Sequence, residues 1–382
     1  MIAVFEILFW FSLFVVLYSY TIYPFLLFLF ARRCNKPVRR DENFFPEIGV
    51  LVPVYNEERV IRKKIENLLS LDYPESKLSV WIGSDCSTDG TEKEVRSFND
   101  PRIHFWVASE RGGKTGVLNK LAPQIDADII LFTDANTMHN SNCLRMIARN
   151  FADETIGGVA GHIEHVQTGE EEFGEKLYRR FESRQKILEG MLHSTISAFG
   201  GFYAIRKKLF HPIPPNSYSN DDVLIPMNVV RQGYRVIYDP EALSEEDTTG
   251  NVAKEFTRRV RIGAGNFQAF FWLVHFLNPR YGWPWFCFVS HKVTRWFSPL
   301  FIMTLMLSCG FLFWQGEKVI YKMIFTTGSI FISAGLLYKL LPLRITRHVY
   351  YFMTMNLALL MGLFQYLRGI KSAAWSSTER QG

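Results

Sequence analysis

The stretch from Asp128 to Asn136 is where residue types and spacing first suggest chemistry. Ile129 to Phe132 are four apolar residues in a row, the pattern of a strand buried on both faces of a parallel sheet. Asp134 and Asn136 follow at its carboxyl end, the end outside which open α/β sheets bind ligands. A carboxylate with a second oxygen two residues on can hold a divalent cation, Mg²⁺ or Mn²⁺, and through it a diphosphate. The same two residues serve a strand-to-helix turn equally well.

Three further groups carry charge at turn positions. Ser84 to Gly90 (Ser-Asp-Cys-Ser-Thr-Asp-Gly) offers Asp85 as an acceptor for a base N–H or a ribose hydroxyl, and Asp89 as a cap for a helix from Thr91. Gly112 and Gly113 let backbone approach an anion, and Lys114 can neutralise phosphate. The spacing is neither GxxxxGK[ST] nor GxGxxG, which excludes a P-loop and a dinucleotide fingerprint. Asp221 and Asp222 open a helix that runs to Arg231. From spacing alone they fit a helix amino terminus as well as a catalytic base.

Positioning these residues requires alternating strands and helices. Strands are expected over Glu47–Val54, Leu78–Gly83, Ile103–Val107 and Asp128–Phe132, with a helical stripe Ile61, Ile65, Leu68, Leu69 after the first. That alternation argues βαβ units and a parallel sheet, an α/β fold. Tyr55 to Glu58, Ser84 to Asp89, and Arg111 to Lys114 then share one sheet edge with Asp134. Further strands are expected over Ile156–His165, Gly200–Arg206 and Gly233–Tyr238. Gly157, Gly158 and Gly161 suggest a bulge or a close approach by a sugar, and His162 and His165 read as structural. The helix from Glu170 to Glu189 presents Phe173, Leu177, Phe181 and Leu188 as its packing face.

The chain has 382 residues, 48% hydrophobic and 21% charged, and the apolar residues collect at its ends. Ile2 to Phe30 carries one charge, Glu6, and exceeds the ~20 residues that cross a bilayer. It lacks the basic start and small-residue cleavage site of a signal peptide. Much of the net charge of +6 lies in Arg32, Arg33, Lys36, Arg39 and Arg40. This predicts a cytoplasmic membrane-flanking cluster and not a nucleic-acid surface. Trp296–Trp314, Met323–Tyr338 and Val349–Leu367 are expected as three more spans, and the basic Lys339, Arg344 and Arg347 between them as a cytoplasmic loop. Lys254–Phe276 reads as an amphipathic helix on the membrane surface. Five scattered cysteines without CxxC spacing suggest neither a disulfide framework nor a zinc site. The expected organisation is a span over 1–31, a cytoplasmic catalytic domain over 45–250, an interfacial segment over 251–283, three spans within 293–368 and a flexible tail over 369–382.

Taken in order, Val52-Pro53-Val54-Tyr55-Asn56-Glu57-Glu58, the Ser84–Gly90 turn, Gly113-Lys114-Thr115-Gly116-Val117-Leu118-Asn119 and Thr133-Asp134-Ala135-Asn136 resemble a family 2 glycosyltransferase of the GT-A fold, over roughly residues 45–275. The resemblance implies a Rossmann-like mixed sheet, a nucleotide-sugar donor (usually a UDP-sugar) and inverting transfer. It places Pro53 among the donor-binding residues, Tyr55 and Glu57 beside the base, Asp85 on the nucleoside, Lys114 near ribose or phosphate, and Asp134 with Asn136 at the metal and diphosphate. Asn136 departs from the family's usual Asp and is a weaker ligand for a hard cation. The Asp221-Asp222 pair resembles the family's Glu-Asp motif, which implies Asp222 as general base and Asp221 as its supporting neighbour. Processive members carry Gln-x-x-Arg-Trp where this chain has Arg258-Arg259-Val260-Arg261-Ile262. Arg261 matches the arginine that faces the diphosphate, and the missing Trp argues against polymer synthesis. The implied acceptor is a glycan or polyprenyl-linked lipid at a bacterial-type inner membrane, with other polysaccharide-assembly proteins as partners. The competing expectations are a processive synthase that extrudes its product and a non-catalytic nucleotide-sugar-binding membrane protein.

Overall fold

The computed structural model describes residues 1–166, 172–218, 220–247, 252–316, 318–341 and 343–369. Ser219 of the expected helix start, the side chains of Phe173, Leu177, His165 and Lys339, and the expected tail past Gly369 lie outside them. Among the described residues eight strands form one sheet: β1 (Ile48–Val54), β2 (Leu78–Ser84), β3 (Ile103–Val107), β4 (Ile129–Thr133), β5 (Thr137–His139), β6 (Ile156–Val166), β7 (Phe202–Arg206) and β8 (Arg235–Asp247). Their spatial order is β3-β2-β1-β4-β7-β6-β8-β5. The first four strands in sequence are mutually parallel, whereas β7 pairs antiparallel with β4 and β6, and β5 antiparallel with β8. The sheet is therefore mixed.

Both faces are covered. Ile48, Val50, Val52 and Val54 of β1 pack with Ile61, Ile65 and Leu68 of the helix Glu58–Leu69 on one face. On the other, the helix Gly113–Leu121 lies so close to β2 that a methyl at Gly83 would stand 2.3 Å from Val117 Cγ1. Each such fully buried aliphatic side chain contributes about 1.5–3 kcal/mol relative to exposure. β5 and the carboxyl half of β8 were not foreseen, since three residues give no periodicity to read. In β6 the register against β8 shifts between Ile156 and Gly158 and between Ala160 and His162. Gly157 and Gly161 thus mark bulges. A methyl at Gly161 would meet the Phe202 ring at 2.1 Å, so this glycine admits a phenylalanine and not a sugar. His162 is structural, with Nδ1 2.6 Å from Tyr238 Oη.

The helix Glu172–Leu192 corrects one expectation. Among its described side chains the buried ones are mostly polar: Glu182, Gln185, Lys186 and Glu189 are all under 7% exposed, beside Leu192. Phe181 and Leu188 are only half-buried.

The chain divides into two compact units, one of residues 30–169 and 180–250, which holds the sheet, and one of residues 1–29, 170–179 and 251–369. In the second, two helices are long and apolar enough to cross a membrane, Ile2–Arg33 and Val319–Leu336. A third span arises if Trp283–Trp296 and Ser298–Trp314, bent by 58°, act as one. The expected span Val349–Leu367 falls in the helix Arg344–Leu367, which is not among these. The helix Val252–Trp272, expected to lie on a membrane surface, packs along Arg344–Leu367. Glycines at the crossing permit this approach. A methyl at Gly263 would stand 3.2 Å from the Ala358 carbonyl oxygen, and one at Gly362 would stand 2.6 Å from the Ala264 nitrogen. Close helix approach at small residues is a common packing mode in apolar bundles.

Candidate active site

Four loops meet at the carboxyl edge of the parallel strands. After β1 the chain turns through Asn56, which holds a left-handed φ of 53°. Its side chain spans to the next loop: Oδ1 accepts from the Thr88 N–H at 2.8 Å, and its own backbone N–H donates to Ser87 Oγ at 3.1 Å. After β2, Cys86 has a φ of 59°. Asp89 is expected as the cap, but Gly90 holds that position without a side-chain bond, and Asp89 Oδ1 accepts the Thr91 N–H at 3.0 Å from one residue earlier. Asn220, just before the acidic pair, is also left-handed at 74°. These are the positive-φ residues other than glycine among the described residues, and all border this edge. Such strain persists where surrounding structure enforces it, commonly at functional sites.

Asp85 is fully buried. Its carboxylate accepts the Gly112 N–H at 2.7 Å and the Gly113 N–H at 3.1 Å, with Arg111 Nε 3.5 Å away. The backbone donors expected to meet a ligand's phosphate are thus taken by an internal anion, and Asp85 shapes the loop that carries Lys114. Gly113, at a φ of 72°, adopts a conformation few other residues tolerate. Arg111 lies over the Tyr55 ring, 3.5 Å from its centroid. Glu57 donates its backbone N–H to Thr91 Oγ1 at 2.8 Å, and Pro53 lies within β1, paired with Gly83 of β2.

Lys114 is the centre of the site. Its ammonium is 2.9 Å from Asp134 Oδ1, 3.2 Å from Asp221 Oδ1 and 3.3 Å from the Gly200 carbonyl oxygen. Burial alone pulls the lysine down, but the two carboxylates outweigh it and hold the ammonium above its ordinary range. Asp221 Oδ2 accepts from Tyr203 Oη at 2.8 Å. Burial, then Asp221, holds that phenol well above its ordinary value, so Tyr203 is a fixed donor. Asp221 is engaged by two side chains and so is not a helix cap, and Asn220 makes no side-chain cap bond. Asp222 is half-buried and borders Gly200, where a methyl would stand 3.8 Å from its Oδ2. Gly201 is tighter: a methyl there would meet Thr137 Oγ1 at 2.5 Å, with Asp134 Oδ2 at 3.5 Å. Glycines here let the loop before β7 approach both carboxylates.

Asn136 Nδ2 donates to Glu246 Oε1 at 2.9 Å. This commits the amide nitrogen to β8 and leaves the amide oxygen as the atom that can meet a cation. Beneath the same loop lies Lys64, fully buried. Its Nζ donates to Thr133 Oγ1 at 3.0 Å and to the Thr137 carbonyl, and lies 3.1 Å from His139 Nε2. His139 Nδ1 in turn is 2.6 Å from Ser244 Oγ. Burial brings Lys64 down to about 7, with Cys143 and Asp134 opposing. Burial, then Lys64, holds His139 well below its ordinary value, so its ring is neutral. Three donors meet three acceptors, the condition for burying an ammonium.

The loop before β7 has its own buried lysine. Lys186 Nζ donates to the Ser197 carbonyl and Oγ, both at 2.6 Å, and lies 3.3 Å from the Ala198 carbonyl oxygen. Glu189 Oε2 accepts from Thr195 Oγ1 and the Ile196 N–H, both at 3.4 Å.

The structure therefore gathers Lys114, Asp134, Asp221 and Asp222, and sets Asn136, Asp85 and Tyr55 around them. Arg261 belongs to the helical unit and not to the sheet unit that carries these. Sequence reasoning missed Lys64, Lys186, Tyr203 and Glu246. For the lysines a signal existed: Lys64 shares the helical stripe of Ile61, Ile65 and Leu68, and Lys186 that of Glu182 and Glu189.

Residues 49–213 match the model of glycosyl transferase family 2. The chain is 34% identical over 119 residues to a beta-monoglucosyldiacylglycerol synthase of Synechocystis sp., covering 30% of this chain and 25% of that protein. It is 24% identical over 255 residues to a poly-beta-1,6-N-acetyl-D-glucosamine synthase of Staphylococcus aureus, covering 61% and 60%. The matched part thus spans about a quarter of the first relative and three fifths of the second. Among solved structures, a mannosyltransferase from Pyrobaculum calidifontis, in complex with GDP-Man and Mn²⁺, superposes with a TM-score of 0.74 at 22% identity, over 94% of this chain and 99% of that one. The sheet, its helices on both faces and its mixed strand order are accordingly those of the GT-A fold, and the chain carries a glycosyltransferase family 2 domain.

Proposed function

We propose that the chain is an inverting glycosyltransferase that moves a sugar from a nucleoside diphosphate donor, in the first instance a UDP-sugar, to a lipid-linked or glycan acceptor at a membrane. The observation that carries this reading is the Lys114 ammonium set between Asp134 and Asp221. One cation joins the strand end suited to a diphosphate to the acidic pair suited to an acceptor hydroxyl.

In this reading Asp222 accepts the proton of the acceptor hydroxyl. The hydroxyl oxygen attacks the anomeric carbon from the face opposite the diphosphate, the carbon–oxygen bond to the diphosphate breaks, and the configuration inverts. A carboxylate suits the task, because the hydroxyl becomes strongly acidic only as the new bond forms. Asp221 is held by Tyr203 and Lys114 and fixes the first turn of the helix that carries Asp222. Lys114 supplies positive charge to the leaving diphosphate.

The donor set fits a divalent ion shared with the diphosphate. Asp134 has 37% of its side chain exposed, and the Asn136 amide oxygen is left available by Glu246. Among the described residues no three His, Cys, Asp or Glu side chains gather to hold a metal unaided. When bound, Mg²⁺ or Mn²⁺ would stabilise the charge that develops on the leaving group. Ile262 at the position of the processive members' Trp favours a single addition.

The test is release of nucleoside diphosphate from a panel of UDP- and GDP-sugars by detergent-purified protein, with polyprenyl-phosphate and glycolipid acceptors. Acceptor-dependent release that a chelator abolishes, with a product one sugar longer, supports the reading. Donor-induced thermal stabilisation without any release would make the chain a nucleotide-sugar-binding protein instead.

A further inference from the structure

The helix that begins with the acidic pair contains a proline. Pro226 lies inside Asp221–Arg231, beyond the first turn, where proline is ordinarily costly. It lacks the N–H that an α-helix would direct to the carbonyl four residues earlier, and its ring crowds that same carbonyl. The carbonyl in question belongs to Asp222. It is not left unpaired: it accepts the Ala198 N–H at 2.8 Å. A helical position normally closed to outside partners has thereby become a tether to the loop before β7.

That loop is itself anchored from the opposite side. Lys186, 1% exposed, donates to the Ser197 carbonyl and Oγ at 2.6 Å. Two residues past Ala198, the Gly200 carbonyl meets Lys114. Lys186, the Ser197–Ala198 backbone and the Asp222 carbonyl thus form one continuous chain of contacts. Pro226 is the residue that opens its last link.

We propose that Pro226 is a positioning residue for transfer: by withholding an N–H from the Asp222 carbonyl, it docks the backbone of Asp222 on the Lys186-anchored loop and so sets where the Asp222 carboxylate stands. This rests on Asp222 being the general base.

Pro226→Ala restores the missing N–H, and the helix can then close its own bond and compete with Ala198. Removing a proline from a helix interior relieves a local cost, so the variant melts at or above the wild-type temperature. The expected signature is a kcat reduced about tenfold or more, within the range that a small misplacement of a catalytic group produces. The donor KM stays within about twofold of wild type, since the residues assigned to the donor are untouched. Amide hydrogen exchange across residues 195–201 quickens in parallel, because Ala198 loses its acceptor. Lys186→Met, which loosens the loop from its other end, shows the same kcat-against-KM split. Asp222→Asn is measured beside them. If Asp222→Asn turns over like wild type, the base assignment fails. If Asp222→Asn is inactive while Pro226→Ala keeps wild-type kcat and exchange, or loses activity only in step with a lower melting temperature, the positioning role of Pro226 is overturned.

Discussion

The parallel half of the sheet, β1 to β4, and the mixed half, β5 to β8, hold their functional loops by different means. In the parallel half the anchors are short polar side chains that bond to backbone in the same or the adjoining loop. Asp85 holds Gly112 and Gly113, Asn56 holds Thr88, and Asp89 holds Thr91. In the mixed half the anchors are long charged chains buried on a helix, Lys186 and Glu189, and a proline that frees a carbonyl. Short anchors are inexpensive to bury because each bond they make is local. A buried ammonium is tolerated only with every donor paired, so its loop has little freedom of its own. Lys64 brings this second method under the Asp134 loop of the first half.

The two halves meet at Asp134, which both share through Lys114, and a substitution there should disturb each of them. Asp134→Asn is expected to lower transfer about 10²–10³-fold, the scale for losing one preorganised electrostatic group. It should also weaken Mn²⁺ binding, read by electron paramagnetic resonance of the free ion with nucleoside diphosphate present. An unchanged Mn²⁺ affinity would remove Asp134 from the metal site.

Next in size are the two buried lysines. Lys64→Met and Lys186→Met each strand several buried acceptors and are expected to cost about 3 kcal/mol of stability, the scale for breaking a buried charged network. Their kinetic effects should diverge. Lys64→Met raises the donor KM and the metal requirement, because Thr133 and Thr137 flank Asp134. Lys186→Met lowers kcat at an unchanged donor KM. Identical kinetic profiles would mean that the two halves are not separately anchored.

The difference between the halves also explains what could be read in the chain. The loops of the parallel half were legible because motif and anchor are the same few residues, so Asp85, Lys114 and Asp134 stand out locally. Seven of the strands were visible as apolar runs. β5 was not, and neither was the full extent of β8. Tyr203 and Glu246 were invisible as site residues because their partners lie 18 and 110 positions away in sequence. Only the fold brings them together. Lys64 was the nearest miss: a charge on an apolar helical stripe is a conflict, and such conflicts mark residues that have partners.

A smaller difference concerns stability and pH in the mixed half. His193 is brought down to about 4 by burial first, then by Lys36 and Arg235. Its folded value lies below its unfolded one, so between pH 6.5 and 4 the unfolded chain takes up a proton that the fold refuses. Stability is therefore fully present above this window and is lost as pH falls through it, by about 3 kcal/mol. The melting temperature in detergent should drop across that range in wild type and drop less in His193→Gln. Equal slopes would exclude this histidine as a source of acid sensitivity.

Everything proposed for the reaction depends on Asp222 removing the acceptor proton beside a donor held by Lys114 and Asp134. Single-turnover transfer by Asp222→Asn, measured together with its donor affinity, probes that step without interference from product release. Wild-type folding and donor affinity are expected, with the transfer rate down by about 10²–10⁴-fold. Transfer near the wild-type rate would contradict the assignment of Asp222 as the base.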